Sequence, residues 1–169
     1  TLKSGDCIEV LGTNFDVMEV PGHTLDHIAY FADRDTPLLF CGDTLFAGGC
    51  GRVFEGNPAM MWDSLQILAA LPPGTSVFCA HEYTLANLAF AEAVEPENRQ
   101  LADRVTEAKA ARARGEATVP SNIALELATN PFLRCGVPEL QSSLQNQGRS
   151  SGDNPVEVFT AVRSWKDSF

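Results

Sequence analysis

Three polar residues of the sequence share one setting, because each comes directly after a short apolar stretch. His23 follows the stretch FDVMEV and a Pro-Gly pair, Asp43 follows LLFC and a glycine, and His81 follows VFCA. Imidazole and carboxylate groups together are suitable ligands for Zn²⁺, Fe²⁺ or Mn²⁺. The placement alone also fits a simpler hypothesis, in which the histidines make structural hydrogen bonds and the aspartate is a turn residue.

The elements that must position these residues are predicted strands. Patterns typical of short strands occur at residues 15–20, 27–31, 38–41 and 77–80. Strand ends collect at one edge of an α/β sheet, where the loops supply ligand-binding side chains. A helix is expected from the pair Asn57-Pro58, as N-cap and first turn, to about Leu71.

The second half of the sequence has a different, helical texture. Helical patterns occur at residues 85–94, 96–114, 121–129 and 155–166, with Ser121 as the expected cap of the third. The polar residues 141–153 are predicted to form a loop. We therefore expect an α/β part followed by a helical part, with domains at residues 1–90 and 91–169.

Composition narrows the class of protein. The 169 residues carry a formal net charge of −10, which disfavours nucleic acid and anionic membranes as partners. The five cysteines include no C-x-x-C pair, so a thiolate metal site or a disulfide framework is not expected, and a reducing cytoplasm is favoured. The sequence opens at Thr1 without a charged and then apolar leader, so no signal peptide is expected.

Longer strings in the sequence indicate a family. VPGHTLDHIAYF at residues 20–31 resembles the P-G-H-T-x-G-H segment of metallo-β-lactamase-fold hydrolases. FCGDTLFAGGCGRVFEG at 40–56 and CAHEYTLANLAFAEAVEP at 79–96 resemble the signatures of hydroxyacylglutathione hydrolases (glyoxalase II). VPSNIALELATNPFLR at 119–134 and VRSWKDSF at 162–169 are similar to the helical domain and the C-terminal end of that family. The resemblance implies an α+β fold, in which the C-terminal part of an αββα sandwich precedes a small all-helical domain.

The resemblance also implies roles for the three polar residues. His23 would be a ligand of a first metal ion, His81 a ligand of a second, and Asp43 the bridging ligand that positions a metal-bound hydroxide. His27 corresponds to a family histidine that is not a ligand, and a structural hydrogen bond is expected for it. Two divalent ions are implied, zinc foremost, with iron or manganese as alternatives.

The implied reaction is hydrolysis of the thioester S-lactoylglutathione to glutathione and a 2-hydroxy acid. Metal-bound water has a pKa of about 7, so it supplies hydroxide at neutral pH. No cysteine nucleophile is needed, and Cys41 and Cys79 are expected to be inert in buried strands. Cys50 is not expected to act as a nucleophile either.

A cationic pocket for glutathione is implied by the same resemblance. The residues matching the family's glutathione contacts are Arg52, Phe54, Tyr83, Arg163 and Lys166. Without the resemblance, Arg163 and Lys166 would be interpreted as solvated charges on one face of a terminal helix.

Departures from the family pattern leave alternatives open. The family motif T-H-x-H-x-D-H is absent from this sequence, which has three histidines, so the metal site is expected to be incomplete. Asp26 replaces an expected glycine, and Phe54 replaces a frequent tyrosine whose hydroxyl could donate a hydrogen bond.

The alternative functions are a non-catalytic module that binds glutathione conjugates, and a persulfide dioxygenase of the same fold. The expected partner is a small glutathione thioester, bound by a monomer.

Overall fold

A computed structural model describes residues 1–150 and 152–169. The strands are β1 (Cys7–Val10), β2 (Thr13–Glu19), β3 (Ile28–Ala32), β4 (Leu38–Gly42), β5 (Leu45–Phe46), β6 (Gly49–Cys50), β7 (Ser76–Cys79) and β8 (Ser121–Asn122). The helices are α1 (Pro58–Ala69), α2 (Thr84–Val94), α3 (Arg99–Ala113), α4 (Ile123–Thr129), α5 (Pro138–Asn146) and α6 (Pro155–Ser168). The mixed α+β class expected from the sequence is confirmed.

The main sheet has the strand order β1-β2-β3-β4-β7-β8. Its strands pair antiparallel except β4 and β7, which run parallel. Since β2, β4 and β7 point the same way, their carboxyl ends lie at one edge of the sheet. The four strands predicted from the sequence are all present, with small shifts at their ends. Strands β5 and β6 form a separate two-stranded hairpin.

Helix α1 covers one face of the sheet. Asn57 caps it, its side chain accepting a hydrogen bond from the backbone N–H of Met60, and Pro58 occupies the first turn. Met61 and Leu65 are fully buried in the same core cluster as Leu39 of β4. The helix ends at Ala69, slightly before the predicted end.

Two predictions about the helical half are wrong. Helix α5 occupies residues 138–146, most of which lie in the predicted loop; Pro138 begins it, and Leu140 and Leu144, four residues apart, are fully buried. Ser121 does not cap α4, because Asn122 accepts the hydrogen bond from the N–H of Leu125. Part of the predicted loop, residue 151, lies outside the described residues.

The helical half also contributes to the sheet. Strand β8 pairs with β7 immediately before α4 begins, so the last strand of the sheet comes from beyond residue 91. The division into domains at residues 1–90 and 91–169 stays a prediction. In the part of the chain that the structure describes, none of the helices has the length and apolar character required to cross a membrane.

Candidate active site

Three strand ends converge on one cavity, as the placement of the polar residues predicted. His23, Asp43 and His81 line a cavity of about 540 Å³. The Nε2 atom of His81 lies 3.6 Å from Oδ1 of Asp43. These two residues meet because the parallel neighbours β4 and β7 end side by side, and His23 reaches the same edge from the end of β2.

A backbone carbonyl fixes the ring of His23. Its Nδ1 atom lies 2.8 Å from the carbonyl oxygen of Arg52. Since a carbonyl oxygen only accepts hydrogen bonds, we assign the ring proton to Nδ1, which leaves the Nε2 lone pair for a ligand. The ring of Phe54 lies 5.0 Å from that of His23, centroid to centroid.

His27 makes the structural hydrogen bond that was expected for it. Its Nε2 accepts from the backbone N–H of Asp43 at 3.0 Å. The approach requires glycine at position 42, because a Cβ there would lie 2.6 Å from the same Nε2, and the φ of +53° is itself unfavourable for other residues. His27 thus supports Asp43.

Gly51 allows the end of β6 to pass against the site. A Cβ at this position would lie 1.9 Å from the carbonyl oxygen of Asp43 and 3.3 Å from Nδ1 of His23. The backbone N–H of Gly51 donates to the carbonyl of Thr44 at 3.2 Å. The site therefore requires glycine at position 51, the second glycine of the G-C-G string, for steric reasons.

The donor set tests whether metal ions fit. Across residues 1–150 and 152–169, no group of three His, Cys, Asp or Glu side chains lies close enough together to hold a metal ion. A catalytic zinc takes about three protein ligands. Two histidines and one aspartate therefore supply too few ligands for two ions. The residues present do not fit a complete two-metal centre, so the ligand roles of His23, Asp43 and His81 stay predictions.

Aromatic rings form one wall of the cavity. The ring of Tyr83 stacks on His81 with 5.0 Å between centroids and 19° between planes. Phe46, from β5, packs at 5.5 Å against Tyr83 and at 6.1 Å against His81. Tyr83 is about half exposed, so its ring and hydroxyl are accessible to a bound molecule.

The two arginines of the cavity differ in environment. Arg52 has 64% of its side chain exposed, whereas Arg163 has 8% of its side chain exposed. Arg163 donates to the carbonyl of Cys50 at 3.2 Å and to Asp167 at 3.0 Å, and lies over the ring of Phe132. The interpretation of Arg163 as a solvated charge is therefore wrong, because it connects α6 to β6.

Lys166 is held at the cavity rim by α2. Its Nζ donates to the carbonyl of Ala86 at 3.1 Å and lies 5.0 Å from the centroid of the Phe90 ring. Burial, and then the positive charge of Arg163, lower the pKa of Lys166. Lys166 is therefore a partly desolvated cation rather than a freely solvated one.

The cysteines near the site are poor nucleophiles. Cys50 lines the cavity, but burial raises the pKa of its thiol to about 11, although Arg163 acts in the opposite direction. Burial also raises the pKa of Cys41 and of Cys79. Cys79 is half-buried rather than buried as expected. A thiolate mechanism therefore has no support among these side chains.

Sequence patterns did not indicate two residues, one that lines the cavity and one that contacts its arginines. Asp167 lies between the two arginines, with Oδ1 3.0 Å from Arg163 and 3.7 Å from Arg52. Its position four residues after Arg163 on a helix was the available signal. Asn87 donates to the carbonyl of Ala47 at 3.2 Å, and no local pattern predicts a contact across 40 residues.

A larger cavity, of about 1030 Å³, lies between α2 and α5. Four glutamates are among its lining residues, and one of them, Glu95, is paired with Arg134 at 2.7 Å. Histidine and cysteine are absent from its described lining. The smaller cavity, with imidazole, carboxylate and cationic groups together, is therefore the candidate active site.

Two family models together cover the chain. Residues 82–169 match the model described as "Hydroxyacylglutathione hydrolase C-terminus", and residues 1–81 match "Metallo-beta-lactamase superfamily". A curated "Hydroxyacylglutathione hydrolase" of Pseudomonas paraeruginosa is 55% identical over 168 residues, and one of Pseudomonas aeruginosa strain LESB58 is 54% identical. The alignments cover 99% of this chain but 65% of each relative, so the chain spans just under two thirds of the relatives' length.

Solved structures show the same fold. ETHE1 from Myxococcus xanthus matches 99% of this chain and 59% of its own, at 25% identity and a TM-score of 0.55. A metallo-beta-lactamase from Staphylococcus aureus matches 98% of this chain and 42% of its own, at 17% identity and a TM-score of 0.55. With the strand-edge site and the family models, these matches lead to one conclusion: the chain belongs to the hydroxyacylglutathione hydrolase family and has a metallo-β-lactamase fold.

Proposed function

We propose that the protein hydrolyses S-2-hydroxyacylglutathione thioesters, such as S-lactoylglutathione, to glutathione and a 2-hydroxy acid. The observation that carries the proposal is the convergence of His23, Asp43 and His81 on one cavity whose rim includes Arg52 and Lys166. The hydrolase name of the relatives supports the substrate class.

The catalytic centre is proposed to be shared with residues outside this chain. Divalent metal ions, with zinc expected and iron or manganese as alternatives, need ligands beyond His23, Asp43 and His81. The chain's own part is to present the Nε2 atom of His23, the carboxylate of Asp43 and the imidazole of His81 at the floor of the cavity. The hydrogen bonds to the Arg52 carbonyl and to His27 hold two of these groups in place.

The rim of the cavity is suited to an anionic tripeptide. Glutathione carries two carboxylates, while the chain carries a net charge of −10, so attraction must come from local cations. Arg52 is exposed and Lys166 is partly buried, and both face the cavity. Tyr83 and Phe54 add exposed aromatic surface beside them. The leaving thiolate, whose conjugate acid has a pKa of about 8.5, departs without a strong general acid.

Thioester hydrolysis tests the proposal in two forms of the protein. The chain completed to the length of its Pseudomonas relatives should hydrolyse S-lactoylglutathione, and Asp43→Ala should reduce the rate to background. The 169-residue chain alone should be inactive because its donor set is incomplete. Activity of the isolated chain, or full activity of the completed Asp43→Ala variant, would contradict the proposed centre.

A second candidate function is a non-catalytic module that binds glutathione conjugates. It is favoured by the lack of a three-donor metal group among the described residues. An S-alkylglutathione should then bind the 169-residue chain, and Arg52→Glu should weaken that binding. If the completed protein binds the conjugate but never hydrolyses the thioester, this second function replaces the first. The persulfide dioxygenase has less support, because the curated relatives have the hydrolase name.

The remaining expectations concern the setting of the protein. A cytoplasmic location rests on the cysteine pattern, and the expectation of no nucleic acid or anionic membrane partner rests on the acidic charge. A monomeric state is proposed as well.

A further inference from the structure

The turn between β5 and β6 is held by side chains from the helical half of the chain. The carbonyls of Phe46 and Gly49 both accept from Nδ2 of Asn130, at 3.3 and 2.9 Å. The N–H of Gly48 donates to Oε2 of Glu126 at 2.9 Å. The polar backbone groups of this turn therefore find partners in residues about 80 positions later in the sequence.

Glu126 is the centre of this network. It is fully buried, and its Oε1 accepts from the guanidinium of Arg104 and from the hydroxyl of Ser121. Its Oε2 accepts from Gly48 and, at 2.9 Å, from Nδ2 of Asn130. The carboxylate thus accepts four hydrogen bonds. Oε1 binds two residues of the helical half, whereas Oε2 binds the turn directly and also binds Asn130, which itself donates to the turn.

The two strands that this turn joins make contacts with two residues of the candidate site, His81 and His23. Phe46, on the first strand of the hairpin, packs against the ring of His81. The second strand leads through Cys50 and Gly51 to Arg52, whose carbonyl accepts from Nδ1 of His23. A displacement of the turn would move both the ring contact and the carbonyl.

The turn has little room to adjust by itself. A Cβ on Gly48 would lie 2.9 Å from a methyl of Leu88, and a Cβ on Gly49 would lie 2.6 Å from Nδ2 of Asn87. The turn is thus packed tightly against α2. Glu126 supplies the acceptor for the buried N–H of Gly48. Without that acceptor, the buried N–H would be left unsatisfied, which favours movement of the turn.

We propose that Glu126 is a positioning residue of the active site, which sets the orientation of His23 and His81 through the β5–β6 turn. This inference deepens the proposed function and rests on it for its catalytic consequence. Glu126 is fully buried and is not among the residues that line the cavity. Its effect on His23 is a property of the chain itself and can be measured without any thioester.

The test compares two buried glutamates by the same substitution. In Glu126→Gln the amide oxygen should face the charged guanidinium of Arg104, so the NH₂ faces the N–H of Gly48 and Nδ2 of Asn130. Two donors then oppose a third, and the hydrogen bond that Gly48 makes in the turn is lost. Glu95→Gln is the control, because Glu95 is also buried and paired with an arginine, Arg134, but makes no described hydrogen bond to the turn.

Nitrogen NMR of the folded 169-residue chain reports the tautomer of neutral His23. In the parent chain and in Glu95→Gln, we expect Nδ1–H to dominate and the Gly48 amide to be protected from exchange. In Glu126→Gln, the two tautomers should become mixed, and Gly48 should exchange faster. A His23 signal and Gly48 protection unchanged in folded Glu126→Gln would overturn the proposal.

The catalytic consequence is measured in the completed protein. Glu126→Gln should lower kcat/KM for S-lactoylglutathione by about 10- to 100-fold, as is typical when support of a ligand residue is lost. Glu126→Asp, which keeps the carboxylate, should recover part of the rate, and Glu95→Gln should lower thermal stability without the same loss of rate. Equal losses in both glutamine variants would reduce Glu126 to a stability role. If the parent shows no hydrolysis at all while the NMR result holds, the proposed function fails and the positioning role remains.

Discussion

At the scale of single residues, burial decides which charged groups of the cavity can meet a ligand. Arg52 and Arg163 both line the cavity, but Arg163 has its guanidinium hydrogen-bonded to Cys50 and Asp167. Its Nε is buried without a partner in the described part of the chain. Arg163 therefore contributes to folding as well as to the charge of the site, whereas Arg52 is available to solvent.

Substitution of the two arginines should separate these roles. Arg163→Gln should lower the free energy of unfolding by about 1.5–3 kcal/mol, because hydrogen bonds from a buried charged group are lost. Arg52→Gln, at an exposed position, should change it by less than about 0.5 kcal/mol. Urea unfolding of both variants measures the difference. Equal stability of the two variants would show that the contacts of Arg163 are energetically unimportant.

Thiol reactivity offers a second measurement at the residue scale. Near pH 8, iodoacetamide should modify exposed Cys7 well before Cys50, because alkylation requires thiolate and the pKa of Cys50 is raised to about 11. The modification rate of Cys50 should rise as the pH approaches that value in the folded chain. Peptide mass mapping over time identifies each site. Rapid alkylation of Cys50 at the lower pH would mean that its thiol is exposed and acidic.

At the scale of elements, glycines permit strand ends and turns to approach one another. The residues that directly follow β4 and β6 pass close together, because a Cβ on Gly51 would lie 1.9 Å from the carbonyl oxygen of Asp43. Gly42 has the same function toward His27. The apolar strands fix the direction of the chain, and the glycines allow the polar groups to converge.

Gly51→Ala should therefore disrupt the site through its backbone. The added Cβ would meet the Asp43 carbonyl oxygen at 1.9 Å, so the strand must shift. Overpacking of this kind costs about 1–3 kcal/mol of stability, and the hydrogen bond between Arg52 and His23 should weaken with it. Gly74→Ala is the matched control, because a Cβ there meets nothing within 4 Å. Thermal unfolding measures both, and equal melting temperatures would contradict the steric argument.

At the scale of the whole molecule, the chain supplies a cavity lined by three candidate metal ligands, with cationic side chains at its rim. Its relatives are longer than this chain. The chain covers 65% of each matched relative, so the proposed reaction belongs to the longer protein. In that proposal, the chain contributes the orientation of its three candidate ligands and the cationic rim. Metal binding is therefore the property expected to differ most between the two lengths.

Zinc titration should show this difference. A ligand at about 100 times its Kd stabilises a folded protein by about 2.7 kcal/mol, which a melting curve resolves easily. Micromolar Zn²⁺ should leave the melting temperature of the 169-residue chain unchanged and raise that of the completed protein. Asp43→Ala should remove the increase. A clear increase in the isolated chain, lost in its Asp43→Ala variant, would show that three donors suffice.

Much of the fold and of the site could be predicted from local patterns. The strands ending near His23, Asp43 and His81 were evident from short apolar runs, and the helix after Asn57 from its cap. Helix α5 was missed because its polar residues outweigh the buried pair Leu140 and Leu144. Because Glu139 is the only charged residue within α5, the helix has no pattern of alternating charges along its surface. The four-residue spacing of the two leucines was therefore the main signal.

The sequence by itself determined which groups lie at strand ends, because apolar periodicity and turn residues act over a few positions. Tertiary structure alone decided which polar groups became buried partners. Glu126 reaches Gly48 across 78 residues, and Arg163 reaches Cys50 across 113. A buried donor or acceptor must find a partner wherever packing places one, and that partner depends on the whole arrangement of helices around the sheet.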